Sequence, residues 1–313
     1  MKTIAHRGAS GYVPEHTLTA KAMAHAMGAA YLEQDLVATK DGVPVVLHDI
    51  HLDTVTDVKD RFPDRKRADG RFYAIDFTVA ELKTLRVFER FDLKTGRAVF
   101  AERYPTGEGE FRIPTFDEEI RFIKNLNRST TRSAGIYPEI KQPAWHREQG
   151  CDLSPIVLEV LRSHGFDDPE SECYLQCFDE FEVKRLRREL GYRGKLVQLI
   201  ARGHDEASGT DYNRLRSAEG LADLQGLVDG VGPMIDLVVT WDDSGERAVT
   251  PFVEAAHANG LVVHPWTIRA DQLPRNCGSL QALVDALKDA AVDGVFADHP
   301  DRVIAALTRS NRE

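Results

Sequence analysis

Glu33 and Asp35 stand two residues apart in the run YLEQDL at 31–36. The period of two along a strand turns both carboxylates to one side and Gln34 to the other. Two carboxylates facing an enclosed pocket repel each other and are costly to desolvate unless a cation compensates, so the pair points to a metal. Oxygen ligands of this kind suit calcium or magnesium. Glu139 and Lys141 repeat the spacing at the end of GIYPEIK, which adds a third carboxylate and an ammonium to the same mouth. A single pair of this kind reads better as ordinary surface charge at a strand end; two pairs on neighbouring strands shift the balance toward a site. His6, followed by Arg7 and Gly8, ends the first apolar run, and His48, followed by Asp49, ends another. A lone strand-end histidine is more often a hydrogen-bonded structural residue. Two imidazoles, three carboxylates and two cationic groups at strand ends, however, are what phosphodiester cleavage requires. A base activates the nucleophile, an acid protonates the leaving alkoxide, and cations offset charge on the phosphoryl oxygens. Histidine suits both proton-transfer roles because it titrates near neutrality.

The elements that must position these groups follow a β/α rhythm. From Gly135 onward the short apolar runs GIYPEIK, YLQCF, LVQLI, DGVG, LVVHPWTI and DGVFAD alternate with segments at 155–164, 179–190, 250–258 and 279–290, whose apolar residues recur at helical spacing. With TIAH at 3–6 and YLEQDL the strands number eight, which closes a TIM-type (β/α)₈ barrel; an open doubly wound sheet is the alternative. The run PVVLHD at 44–49 follows the second strand after a short turn containing Asp41 and Gly42. It reads as a hairpin, which returns His48 to the level of Glu33 and Asp35. The stretch 50–112 breaks the rhythm and reads as an insertion after the second strand, with one helix starting at the capping box Thr78-x-x-Glu81. Loops after barrel strands sit over the C-terminal face, so the insertion is expected to cap the substrate pocket, a surface decoration being the alternative. The whole chain, 1–313, reads as a single catalytic domain.

Composition sets the outer limits. With 313 residues, 42% of them hydrophobic, the chain can bury a sizeable core. A net charge of -10 argues against nucleic acid as a partner, because no basic stripe is present to neutralise successive phosphates. The Lys and Arg residues between Arg61 and Arg71 are diluted by five Asp residues between Asp53 and Asp69 and read as solvated surface. No stretch approaches the roughly 20 apolar residues of a membrane span, and the N-terminus lacks the segments of a signal peptide. The expected state is soluble, either intracellular or exported with its signal removed. Cys173 and Cys177 would lie roughly 13 Å apart on one strand, too far to bridge. Cys151 and Cys277 pair only if the fold brings them together, and buried thiols are the plainer reading.

The order His6-Arg7-Gly8, Pro14-Glu15-His16-Thr17, Glu33-Gln34-Asp35, His48-Asp49 and Pro138-Glu139-Ile140-Lys141 resembles the glycerophosphodiester phosphodiesterase family. Gln176-Cys177-Phe178-Asp179, Trp266-Thr267 and Asp298-His299-Pro300 extend the resemblance along the chain, and the insertion resembles that of the larger bacterial periplasmic members. The resemblance implies a phospholipase-C-like barrel with Glu33, Asp35 and Glu139 as ligands of one divalent cation, usually calcium in the insertion-bearing branch. It makes His6 and His48 the acid/base pair, with Arg7 and Lys141 on the phosphate. Glu15 is expected to support the site and Trp266 to form a substrate-pocket wall, a core aromatic being the other reading of Trp266. The implied products are sn-glycerol 3-phosphate and an alcohol such as choline or ethanolamine. A periplasmic location is implied too, with the cytoplasm as the alternative, and a homodimer is left open. One departure concerns the last loop, where the family commonly has Thr-Asp, an aromatic and Pro, and this chain has Ala297-Asp298-His299-Pro300. The rival readings are a phospholipase or lysophospholipase of the same superfamily, fed through the aromatics of the insertion, and a surface binding protein that has lost catalysis.

Overall fold

The computed structural model describes residues 1–310. Its main sheet has nine strands: β1 (Lys2–Ala5), β2 (Tyr31–Ala38), β3 (Pro44–Val46), β4 (Gly135–Ile140), β5 (Tyr174–Cys177), β6 (Lys195–Ile200), β7 (Gly230–Pro233), β8 (Val262–Val263) and β9 (Gly294–Ala297). Eight run parallel in the order β8-β7-β6-β5-β4-β2-β1-β9, and β3 folds back antiparallel on β2, pairing Leu36 with Val46. Single hydrogen bonds close the ring between its end strands: Asp293 N donates to Val263 O at 3.0 Å, Phe296 N to Pro265 O at 3.0 Å and Ile268 N to Phe296 O at 2.8 Å. The eighth strand is only two residues long because Pro265, in the middle of LVVHPWTI, has no N–H to give to a ladder.

The helices between strands fall where apolar residues recur at helical spacing, at Leu153–Ser163, Glu180–Arg188, Phe252–Ala258 and Leu280–Asp289. They cover the outside of the barrel, and the Val, Leu and Ile runs of the strands are buried against them. Inside, the period of two stacks side chains in layers. Tyr31, Glu33 and Asp35 share one face of β2, and Tyr137 and Glu139 share one face of β4. The lower layer is aromatic: Tyr31, Tyr137, Tyr174 and Phe296 pack together with Ile4 and Val197, and the Tyr137 hydroxyl meets His264 Nδ1 at 2.9 Å. This floor keeps water from rising through the barrel and leaves the carboxylates open only upward, toward the strand C-termini.

Residues 50–112 build a second, smaller apolar cluster, in which Leu52, Val55, Val58, Phe77, Leu82 and Leu85 are buried over Val37 and Val45 of the hairpin. The Thr78 capping box forms, and the helix it starts is a single turn, Val79–Leu82. Phe72, Phe77 and Phe88 are buried, so these aromatics of the insertion serve its packing and not an apolar entrance. Arg61, Arg65, Arg67 and Arg71 each pair with a carboxylate, of Asp57, Glu81, Asp76 and Asp53 respectively. All four cysteines are unpaired, Cys173 and Cys177 fully buried and the other two partly so. Among the described residues no helix is long and apolar enough to cross a membrane.

Candidate active site

His6, Arg7, Glu33, Asp35, His48, Glu139 and Lys141 all line one cavity of about 250 Å³ at the C-terminal mouth of the barrel, together with Trp266. Strand pairing explains the convergence. β2 and β4 are in register with Asp35 beside Glu139 and Glu33 beside Tyr137, so two E-x-D and E-x-K patterns on adjacent strands fall into one layer. The hairpin brings His48 to the same level, with Leu47 N donating to Asp35 O at 2.9 Å.

His6 ends β1, and the chain then turns sharply. Arg7 takes the left-handed conformation at φ 58° and Gly8 follows at φ 87°. A Cβ on Gly8 would lie 2.7 Å from the Ala20 carbonyl carbon, so only glycine fits the second position. The turn aims the Arg7 amide at the Glu33 carboxylate, to which it donates. Its guanidinium reaches Glu15 at 2.9 Å and Asp35 at 3.6 Å. Glu15 stands behind Arg7 and not on the cavity wall, and it is shared with Arg90 of the insertion at 2.7 Å.

Each cavity histidine is held through Nδ1 by an aspartate. His6 Nδ1 meets Asp298 Oδ1 at 2.7 Å, and His48 Nδ1 meets Asp49 Oδ1 at 2.6 Å. A carboxylate on Nδ1 fixes the proton there and leaves Nε2 to face a reactant as acceptor. Both aspartates are in turn gripped from the insertion: Arg103 donates to Asp298 at 2.7 Å and Arg90 to Asp49 at 2.5 Å. Burial, followed by Arg7, lowers the His6 pKa against the pull of Asp298. Burial, followed by Arg7 and Lys141, brings His48 down to about 4. Both rings are therefore neutral near pH 7 in the free site.

The carboxylates are short of positive charge. Burial and then Asp35 push Glu33 well above the usual carboxylate range. Burial also takes Glu139 up to about 8, with Asp35 adding to it and Lys141 opposing. Burial would raise Asp35 as well, but Lys141, 3.6 Å away, together with the two nearby imidazoles holds it well below its ordinary value. Asp35 Oδ1 is buried with no hydrogen-bond partner. A divalent cation supplies what is missing, so the donor set fits one. The buried group His16, Glu33 and Asp35, with ligand atoms within 4.8 Å of one another, could hold a metal. His16 donates from Nε2 to Asp35 Oδ2 at 2.8 Å, and burial drops its pKa to about 3, so it remains a neutral donor.

Sequence patterns brought out His16 and Asp298 only as members of motifs, with no role assigned to either. His16 is 19 residues from Asp35 and Asp298 is 292 from His6; no local spacing encodes such contacts. Trp266 lines the cavity and donates its indole N–H to Gly232 O at 2.8 Å. It is thus both a wall and a packed aromatic.

Two imidazoles, a guanidinium, an ammonium and clustered carboxylates in one cavity are the equipment for hydrolysis of a phosphoric diester, which puts the protein among the (β/α)₈ hydrolases of that bond. Residues 6–302 match the glycerophosphoryl diester phosphodiesterase family. A glycerophosphodiester phosphodiesterase of Haemophilus influenzae is 43% identical over 97% of this chain and 89% of its own length. One from Treponema pallidum is 36% identical over 99% and 92%. A solved structure from Silicibacter pomeroyi that carries the family's description superposes with a TM-score of 0.73 at 25% identity, covering 99% of this chain and 94% of that one. The fold is shared as well by an Oleispira antarctica phosphodiesterase solved with its product sn-glycerol-3-phosphate, with a TM-score of 0.66 at 21% identity over 98% and 97%. The chain belongs to the glycerophosphodiester phosphodiesterase family, and its activity is that of a phosphoric diester hydrolase of this kind.

Proposed function

We propose that the protein hydrolyses glycerophosphodiesters with small alcohols, such as glycerophosphocholine and glycerophosphoethanolamine, to sn-glycerol 3-phosphate and the free alcohol. The observation that carries this reading is the placement of two imidazoles, each held at Nδ1 by an aspartate, in one cavity with Arg7 and Lys141. Arg7 and Lys141 take the phosphate oxygens, which orients the phosphorus between the rings. The anionic substrate replaces water in the cavity and makes protonation of an imidazole easier, since an adjacent negative charge favours the charged ring. One histidine accepts the proton of the nucleophile, which is either a water or the neighbouring glycerol hydroxyl; in the second case a cyclic phosphate forms and a water then opens it to the monoester. The other gives a proton to the departing alcohol oxygen. Glu33, Asp35 and Glu139 hold the divalent cation, calcium first and magnesium second, with Nε2 of His16 occupied by Asp35. When bound, the ion supplies positive charge for the phosphoryl oxygen and the glycerol hydroxyls. Trp266 forms a wall of the substrate pocket, Glu15 keeps Arg7 in place, and residues 50–112 cap the face of the barrel on which the substrate enters.

The test is turnover of several glycerophosphodiesters with and without chelator and with calcium or magnesium added back. His6→Ala and His48→Ala should each lower turnover by at least about 100-fold. Near-normal turnover in both variants overturns the acid/base assignment, and turnover that survives the chelator overturns the metal.

A further inference from the structure

Gln176 lines the catalytic cavity but stands outside the set of charged groups there. It lies on β5 beside Glu139 of β4, its partner in the parallel register, so the two side chains enter the barrel from neighbouring strands about 4.8 Å apart. The period of two sets its depth. Tyr174 belongs to the aromatic floor and Gln176 comes two residues later, just as Glu139 follows Tyr137 on β4 and Leu199 follows Val197 on β6. Gln176 therefore stands directly on the floor, at the closed end of the cavity, with Phe178, two residues on, nearer the mouth.

Its side chain is 1% exposed, and the amide oxygen Oε1 is buried with no hydrogen-bond partner. Gln34, on the outer face of β2, shows the usual alternative: its amide donates to Leu32 O at 2.8 Å and accepts from Tyr137 N at 3.2 Å. A buried amide whose oxygen meets nothing forfeits its bonds to water, and an apolar side chain would fill the place without that penalty. Leu199 does so on the next strand. Thr267 lines the same cavity, and its hydroxyl too is buried and unpartnered. Neutral amides and hydroxyls suit a hydroxyl, whereas a phosphate is better met by Arg7 and Lys141. With the phosphorus between the imidazoles and the departing alcohol on the open side, the glycerol half points down to the floor. Its terminal hydroxyl, the one farther from phosphorus, reaches deepest.

We infer that Gln176 is a specificity-determining residue whose amide oxygen accepts a hydrogen bond from the terminal hydroxyl of the glycerol half. The inference rests on the diester-hydrolase reading above and adds to it one residue and the substrate atom that residue meets. A substrate with hydrogen or an ester in place of that hydroxyl leaves the amide unmet at the closed end of the cavity.

Gln176→Met tests it, since Met keeps the length of the side chain and removes its hydrogen bonding; Gln176→Leu is the second variant. The first measurement compares kcat/KM, with calcium present, for glycerophosphocholine and for 2-hydroxypropylphosphocholine, which lacks only the terminal hydroxyl. The wild type should favour glycerophosphocholine by at least about 30-fold, and either variant should cut that preference below about fivefold through loss on glycerophosphocholine alone. The urea midpoint of Gln176→Met should be unchanged or higher, because no partner in the protein is stranded. The second measurement needs no turnover: calorimetry should show sn-glycerol 3-phosphate binding the calcium-loaded wild type at least about tenfold more tightly than 2-hydroxypropyl phosphate, a difference lost in Gln176→Met. Equal losses on both diesters, or an unchanged preference in either folded variant, overturn the proposal. A protein that shows the binding difference and its loss in Gln176→Met but cleaves no glycerophosphodiester overturns the functional reading and supports the role of Gln176.

Discussion

Asp298→Asn tests how the site prepares His6. The carboxylate is buried and accepts from Nδ1 at 2.7 Å, while Arg103 and Arg269 approach its other oxygen at 2.7 and 3.2 Å. A full charge pair about 4 Å apart at an effective dielectric near 20 is worth about 4 kcal/mol. Only part of the imidazolium charge exists at the transition state, so about 2–4 kcal/mol of its stabilisation should disappear, a loss of about 30- to 1000-fold in kcat. Asn also presents an amide that can donate toward Nδ1 and so drive the ring proton to Nε2. KM should stay within about threefold, since Arg7 and Lys141 are untouched. The pH profile carries a sign. Burial and Arg7 lower the His6 pKa and Asp298 raises it, so removing the carboxylate lowers it further. The limb of the profile that belongs to His6 must then move to lower pH, the acid limb if His6 is the base and the alkaline limb if it is the acid. Steady-state kinetics from pH 5 to 9, with circular dichroism as a check on folding, decide the matter. A folded variant with kcat within about threefold of wild type, or with that limb shifted upward, refutes the reasoning.

Three further outcomes can be measured on the same protein. Glu139→Gln should raise the concentration of added divalent cation needed for turnover by at least about tenfold, and a superimposable cation titration would remove Glu139 from the proposed ligand set. Lys21 is fully buried, donates to the Glu33 carbonyl and pairs with the equally buried Glu119 at 2.9 Å. Lys21→Met strands that carboxylate and should cost about 3–5 kcal/mol in urea unfolding, with partial recovery in Lys21→Met/Glu119→Leu; a cost under about 1 kcal/mol contradicts the pair. Burial holds His264 at about 4 in the barrel floor, against about 6.5 in an unfolded chain. The unfolded state therefore binds the proton first as pH falls, and the contribution is fully present above about 6.5 and lost by about 4, an amount of about 3 kcal/mol. His264→Gln should flatten the fall in urea midpoint over that window, and an unchanged slope counts against it.

The parts of this site legible in the sequence were those set by local geometry. A strand's period of two is enough to put Glu33 with Asp35 and Glu139 with Lys141, and the same period places Tyr31 and Tyr137 below them. The turn at Asp41 and Gly42 was enough to return His48 to their level. The eighth strand shrank to Val262–Val263 because one proline removes a donor, a local effect present in the run LVVHPWTI but outweighed there by its apolar length. What could not be read is how the two histidines are held. Asp49 adjoins His48 in the chain, yet the group that fixes Asp49 is Arg90, and the groups that fix Asp298 include Arg103. Both arginines lie in an aperiodic, heavily charged stretch where any one of them resembles its solvated neighbours, such as Arg61, paired with Asp57 at the surface. Their contacts span 41 and 195 residues, and only the closed barrel with its insertion packed on the β2–β3 hairpin brings them together. The insertion therefore reaches the chemistry through charge as well as position: each imidazole rests on an aspartate, and each aspartate rests on an arginine from residues 50–112. A barrel that lost this segment would keep its carboxylates in register but would leave both aspartates without those arginines.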